Sequence, residues 1–155
     1  MRCLLLFIYV AFTVATNSVK YSSIDEKIFT AKYNANDPIE DEIQIYTVNA
    51  TTNSYSASIF DGHGGSQASK FASQYLHQLI DYTTDMPKSI TKAYLELDAK
   101  YLKFIQPNKD KLSTTGSCGL TAVLSNNTLY VANAGDSIAG INIKSNIQAK
   151  NHKFL

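Results

Sequence analysis

Polar and apolar side chains alternate from Glu42 to Val48, the period of a strand with one buried face. The same alternation returns from Ser54 to Phe60, after the turn-forming Thr51, Thr52 and Asn53. Two neighbouring strands joined by a short loop are therefore predicted. The period then changes. Ala68, Phe71, Ala72, Tyr75, Leu76 and Leu79 recur at helical spacing, with Ser66 placed as the N-cap just after two glycines. A second helix is predicted to begin near Pro87, a residue favoured in a first turn. Its apolar face runs through Ile90, Tyr94, Leu97, Tyr101 and Ile105, and Pro107 and Asn108 end it. Strand character resumes at Leu120 to Leu124 and Leu129 to Ala134. The link between them, Ser125-Asn126-Asn127-Thr128, predicts a hairpin. Ile138 to Ile143 reads as a third strand, reached through Gly135-Asp136-Ser137. Both helical stripes read as core faces, and neither is assigned a cofactor. With no internal repeat, one domain of mixed strands and helices is expected.

The N-terminus has a different pattern. Arg2 is followed by an apolar run from Cys3 to Val14, and then by Ala15, Thr16 and Asn17. One positive charge, a short apolar core and small residues after it describe a secretory signal peptide over residues 1–16, with the domain over 17–155. The run falls short of the ~20 residues that span a bilayer, so a stable membrane anchor is not expected beyond this segment. It also lacks the amphipathic, Arg- and Ser-rich character of a mitochondrial presequence. A secretory or extracellular location follows, the alternative being membrane association through an uncleaved N-terminal segment. Asn49-Ala50-Thr51 and Asn126-Asn127-Thr128 satisfy the glycosylation acceptor pattern that such a route would use. Cys3 would leave with the signal, so Cys118 would have no intramolecular partner.

Composition narrows the function classes. At 45% hydrophobic and 17% charged, the 155 residues can bury a core, and a net charge of +1 excludes nucleic acid as the main partner. Lys109, Asp110 and Lys111 form only a short mixed run, read as a solvated loop.

Chemistry concentrates at three points: Glu40-Asp41 before the first strand, Asp61-Gly62-His63-Gly64-Gly65 between strand and helix, and Gly135-Asp136-Ser137. Carboxylates at strand ends converge readily on a hard cation such as magnesium or manganese. Gly62 and Gly64 let backbone carbonyls approach such an ion, and His63 is able to give a proton to a leaving oxygen near neutral pH. Taken singly, a Glu-Asp pair or a Gly-Asp-Ser triplet is an ordinary solvated turn. A histidine set between glycines at a strand's end has less reason to serve packing.

Together the segments resemble the PPM-type (type 2C) protein phosphatases. Phe60-Asp61-Gly62-His63-Gly64-Gly65 resembles that family's Phe-Asp-Gly-His-Gly-Gly signature. Gly116-Ser117-Cys118-Gly119-Leu120-Thr121-Ala122 is similar to its Gly-Ser-Thr-Ala strand, and Leu129-Tyr130-Val131-Ala132-Asn133-Ala134-Gly135-Asp136-Ser137 to its Leu-Tyr-Val-Ala-Asn-x-Gly-Asp-Ser strand. Order and spacing agree from about Phe29 onward. The resemblance implies an α+β fold, an antiparallel β-sandwich flanked by helices. It also implies Mn²⁺- or Mg²⁺-dependent hydrolysis of phosphoserine or phosphothreonine esters in phosphoproteins, by water held between two ions. By the same resemblance Asp61 bridges both ions, Gly62 offers its carbonyl to one, and Glu40 serves the other. Asp41 holds metal-bound water, Asp136 stands near a further metal site, and His63 is the general acid.

Departures accompany the likeness. Asn36 stands where most members carry a phosphate-gripping Arg, and an amide makes no charged bidentate contact. Around Asn36-Asp37-Pro38-Ile39-Glu40-Asp41 the chain is locally similar to pyruvate dehydrogenase phosphatases. Ile138 replaces a second Arg, and Lys150-Asn151-His152-Lys153 resembles a region after which members continue to further metal-binding aspartates. A piece of a longer phosphatase is one expectation. A truncated, non-catalytic relative that binds phosphoprotein or metal is the other. A third reading, with Ser137 as an esterase nucleophile, finds no oxyanion-hole glycine motif and no downstream Asp-x-x-His in the sequence.

Overall fold

A computed structural model describes residues 9–10, 28–29, 38–49, 54–126 and 128–140. The chain divides into two compact units, Met1–Asp37 and Pro38–Leu155. In the first, strands β1 (Tyr9–Val10) and β2 (Ile28–Phe29) pair antiparallel. The remainder of the expected signal peptide lies outside the described residues, as do Asn36, Asn127 and the segment around His152.

The second unit holds a four-stranded antiparallel sheet: β3 (Glu42–Asn49), β4 (Ser54–His63), β5 (Gly116–Ser125) and β6 (Thr128–Ala134), in that spatial order. Helices α1 (Gln67–Leu79) and α2 (Met86–Ile105) lie between β4 and β5 in sequence. This is the α+β arrangement expected, represented in this unit, among the described residues, by one four-stranded sheet and a principal helical pair.

Local chemistry explains the boundaries. Asp85 caps α2 by accepting from the Lys88 N–H at 3.1 Å, and Pro87 occupies its first turn. Ser66 stands at the N-cap position of α1, as expected, but its hydroxyl makes no capping bond. Pro107 ends α2 without ending helical structure. A 3-10 turn (Gln106–Asn108) and a short helix α3 (Lys109–Leu112) follow where a loop was expected. Ser125 pairs with Thr128, so the β5–β6 link is tighter than expected, and Asn126 accepts the left-handed φ of 49° that it requires. Of the third expected strand, Ile138 to Ile143, residues 138–140 are irregular, and 141–143 lie outside the described residues.

The helices cover one face of the sheet. Phe60 of β4 and Val123 of β5 meet Leu76, Ile80, Met86, Ile90, Ala93 and Leu97 in the main core. Small polar residues share that face. Thr121, fully buried, bonds Ser58 at 2.9 Å and the Tyr94 hydroxyl at 2.7 Å, tying β4, β5 and α2 together. By strand alternation Ile43, Ala57, Ile59, Leu120, Ala122 and Val131 point to the opposite face.

Candidate functional site

Strand β4 outruns β3. Pairing with β3 stops at Glu42 opposite Phe60, whereas pairing with β5 continues through Asp61–Cys118, Gly62–Ser117 and His63–Gly116. The strand was expected to end at Phe60, because nothing apolar follows. Its last three residues are held instead by β5. Alternation sends Asp61 and His63 to the face away from the helices and turns Gly62 toward them.

That turn places Gly62 against the second acidic point. A Cβ at Gly62 would run into the Glu40 carbonyl and the Ser69 hydroxyl, so glycine is required by close approach. Ser69, on the first turns of α1, donates to the Glu40 carbonyl and lies 3.1 Å from the Ser66 carbonyl. The Glu40-Asp41 pair thus sits at the end of the sheet beside the Asp61-Gly62-His63 terminus. Gly64 and Gly65 adopt φ of 70° and 129°, left-handed backbone that fits the strand-to-helix turn. His63 is exposed, and its imidazole lies over Gly116, where any side chain would strike the ring.

Asp136 arrives from the other edge. Gly135, φ 115°, packs on Cys118 and turns the chain after β6, and the Asn133 amide donates to the Ser137 carbonyl at 2.6 Å to hold that turn. The Cys118 thiol donates to Asp136 Oδ1 at 3.2 Å. Because Cys118 is also the register partner of Asp61, it stands between the two carboxylates. Burial pushes its thiol pKa up, and the negative charges of Asp136 and Asp61 act in the same direction. The thiol therefore stays protonated and remains a donor.

Asp61, Gly62, His63, Glu40, Asp41 and Asp136 are all on elements that meet at one end of the sheet. Among the described residues, however, no three or more His, Cys, Asp or Glu side chains form a group able to hold a metal ion. Asn36 lies outside them. Among the same residues Ser137 has no histidine hydrogen-bonded to it, and its carbonyl is engaged in the turn. Ser69, Gly116 and Cys118 were not anticipated as parts of the site. Gly116 and Cys118 lie in a segment already likened to the family's Gly-Ser-Thr-Ala strand, whereas nothing in the sequence singled out Ser69.

Residues 27–154 match the family described as Protein phosphatase 2C. Over 113 residues the chain is 35% identical to Probable protein phosphatase 2C 63 of Arabidopsis thaliana, covering 68% of this chain and 29% of that protein. It is 37% identical over 114 residues to Probable protein phosphatase 2C 61 of Oryza sativa subsp. japonica, with the same coverage of 68% and 29%. A second rice relative, Probable protein phosphatase 2C 29, is 32% identical over 119 residues, covering 72% of this chain and 30% of its own length. The matched region thus spans less than a third of each of these relatives.

Proposed function

The chain belongs to the protein phosphatase 2C family, and from that premise we propose that it serves metal-dependent hydrolysis of phosphoserine and phosphothreonine esters in phosphoproteins. One observation carries the reading. Strand β4 and the turn after β6 each deliver a carboxylate, Asp61 and Asp136, to the same end of the sheet with Cys118 between them. Oxygen donors of this kind suit Mn²⁺ or Mg²⁺. Asp61, the Gly62 carbonyl, Glu40, Asp41 and Asp136 would hold the ions. When bound, such ions polarise a phosphoryl oxygen and make water a nucleophile near neutral pH.

The chain's own residues supply the rest. His63 is exposed at the end of β4 with its ring set over Gly116, positioned to protonate a departing serine or threonine oxygen. Gly62 lets the Glu40 backbone close on β4, which brings the two acidic points together. Asn36, in place of an arginine, offers hydrogen bonds without charge and so a weaker hold on substrate phosphate.

The test is Mn²⁺-dependent release of phosphate from a phosphothreonine peptide by the full chain, with Asp61→Asn beside it. Activity that disappears in the variant supports the proposal, and full activity in Asp61→Asn refutes the metal assignment. A second reading, a non-catalytic relative that binds phosphoprotein or metal, is favoured by the absence of a closed metal-ligand cluster among the described residues. A folded chain that binds Mn²⁺ or phosphopeptide without turnover would establish it.

A further inference from the structure

We propose that Ser69 is a positioning residue that sets where the Glu40-Asp41 pair stands relative to Asp61, an inference that rests on the metal-site reading above. The pair lies just outside the sheet. Its ladder partnership begins only at Glu42, opposite Phe60, so pairing within the sheet does not fix the backbone of residue 40. Two other contacts hold the Glu40 carbonyl in place. The Ser69 hydroxyl donates to it from α1, and the missing side chain of Gly62 lets it settle onto β4.

Ser69 is an unusual choice for packing alone. It is fully buried at 0% exposure, beside Ala68 and with Ala72 and Leu76 further along the buried side of α1. An alanine would fill such a place without desolvating a hydroxyl, which costs free energy unless it is bonded. Two carbonyls are within reach of the hydroxyl: that of Ser66 one turn back, at 3.1 Å, and that of Glu40 across on the acidic pair. The Ser69 hydroxyl thus ties the first turns of α1 to the acidic pair, and the bare Gly62 lets both close on the end of β4.

Hydrogen exchange and Mn²⁺ titration on the full chain separate the outcomes. In metal-free Ser69→Ala, the peptide containing residues 38–42 should exchange about tenfold faster, with β4 and α2 unchanged and the melting transition still cooperative. Its Mn²⁺ affinity, read by calorimetry, should fall about tenfold, as when a group that orients a metal ligand is lost. Ser69→Cys, similar in size but a weaker donor, should lie between. Unchanged exchange in residues 38–42, or equal loosening throughout, overturns the proposal. So does faster exchange with unaltered Mn²⁺ affinity, which would leave Ser69 only a local strap. A wild-type chain that binds no Mn²⁺ removes the metal-site reading, and the exchange result then decides by itself whether Ser69 fixes Glu40.

Discussion

Replacing Thr121 by valine keeps the volume of a fully buried side chain and deletes the hydroxyl at the centre of the Ser58–Thr121–Tyr94 chain. Two hydrogen bonds disappear, each contributing about 1 kcal/mol net. Ser58, only 5% exposed, is also left without that partner, and a stranded buried hydroxyl costs about 1–3 kcal/mol. The Tyr94 phenol, whose pKa burial raises, loses the same partner. The expected cost of Thr121→Val is about 3 kcal/mol, a large share of a typical folding free energy of 5–15 kcal/mol. Tyr94→Phe breaks one bond and leaves Thr121 paired with Ser58, which should cost about 1 kcal/mol. In the double variant the phenol that valine would have stranded is already gone. The two effects should therefore sum to less than their parts, with a coupling of about 1 kcal/mol. Urea unfolding at constant m-value measures all three. A Thr121→Val cost below about 0.5 kcal/mol, or strict additivity, would show that the hydroxyl chain contributes nothing beyond its volume.

Three further outcomes are expected. Burial pushes the Tyr94 phenol up to about 12 from 10.0, against a smaller opposing effect of its bond to Thr121. The folded state thus holds its proton more tightly, so this stability is intact below pH 10.0 and lost as pH rises toward about 12. Alkaline unfolding curves of wild type and Tyr94→Phe should converge as that range is crossed, and parallel curves would contradict the assignment. Burial lowers the His77 pKa below 6.5, and its Nδ1 lies 2.8 Å from the Gln44 amide nitrogen, which makes it the acceptor there. The neutral ring is favoured, so its contribution is present above 6.5 and lost as pH falls through the folded value. His77→Gln should flatten the acid side of the stability profile below pH 6.5, and an unaltered slope there would refute this. Finally, expression through a secretory route should yield a mature N-terminus between Ala15 and Asn17. Soluble cytosolic protein retaining Met1 would contradict the signal peptide.

The strands and helices that were legible in the sequence are those whose pattern is local. Alternation through Ile43 and Ile45, and helical spacing through Ala72, Leu76 and Leu79, are set by near neighbours in the sequence. What escaped depends on distant partners. Asp61-Gly62-His63 has poor strand propensity and is extended because Gly116, Ser117 and Cys118 pair with it from far along the chain. The start of β5 was missed for the reciprocal reason. In the candidate site, the acidic and histidine positions could be named because their motifs, taken together and in order, resemble the family's signatures. Ser69 could not, because its role arises only when α1 folds back over residue 40.

The sheet is built from two hairpin-like halves, β3–β4 and β5–β6, whose members are near one another in sequence. The central ladder, from Tyr55–Leu124 to His63–Gly116, joins the halves across the intervening helices. Such long-range closure is entropically slow, so the halves and the α1–α2 pair are expected to organise before the seam shuts. Asp61 rides on one half, and Cys118 with Asp136 on the other. Cations held at Asp61 and near Asp136 would favour the closed seam, since only that form brings their oxygen donors to one end of the sheet. Function and foldedness would then be coupled at one point: whatever removes the ions also loosens the ladder where the chemistry is assembled.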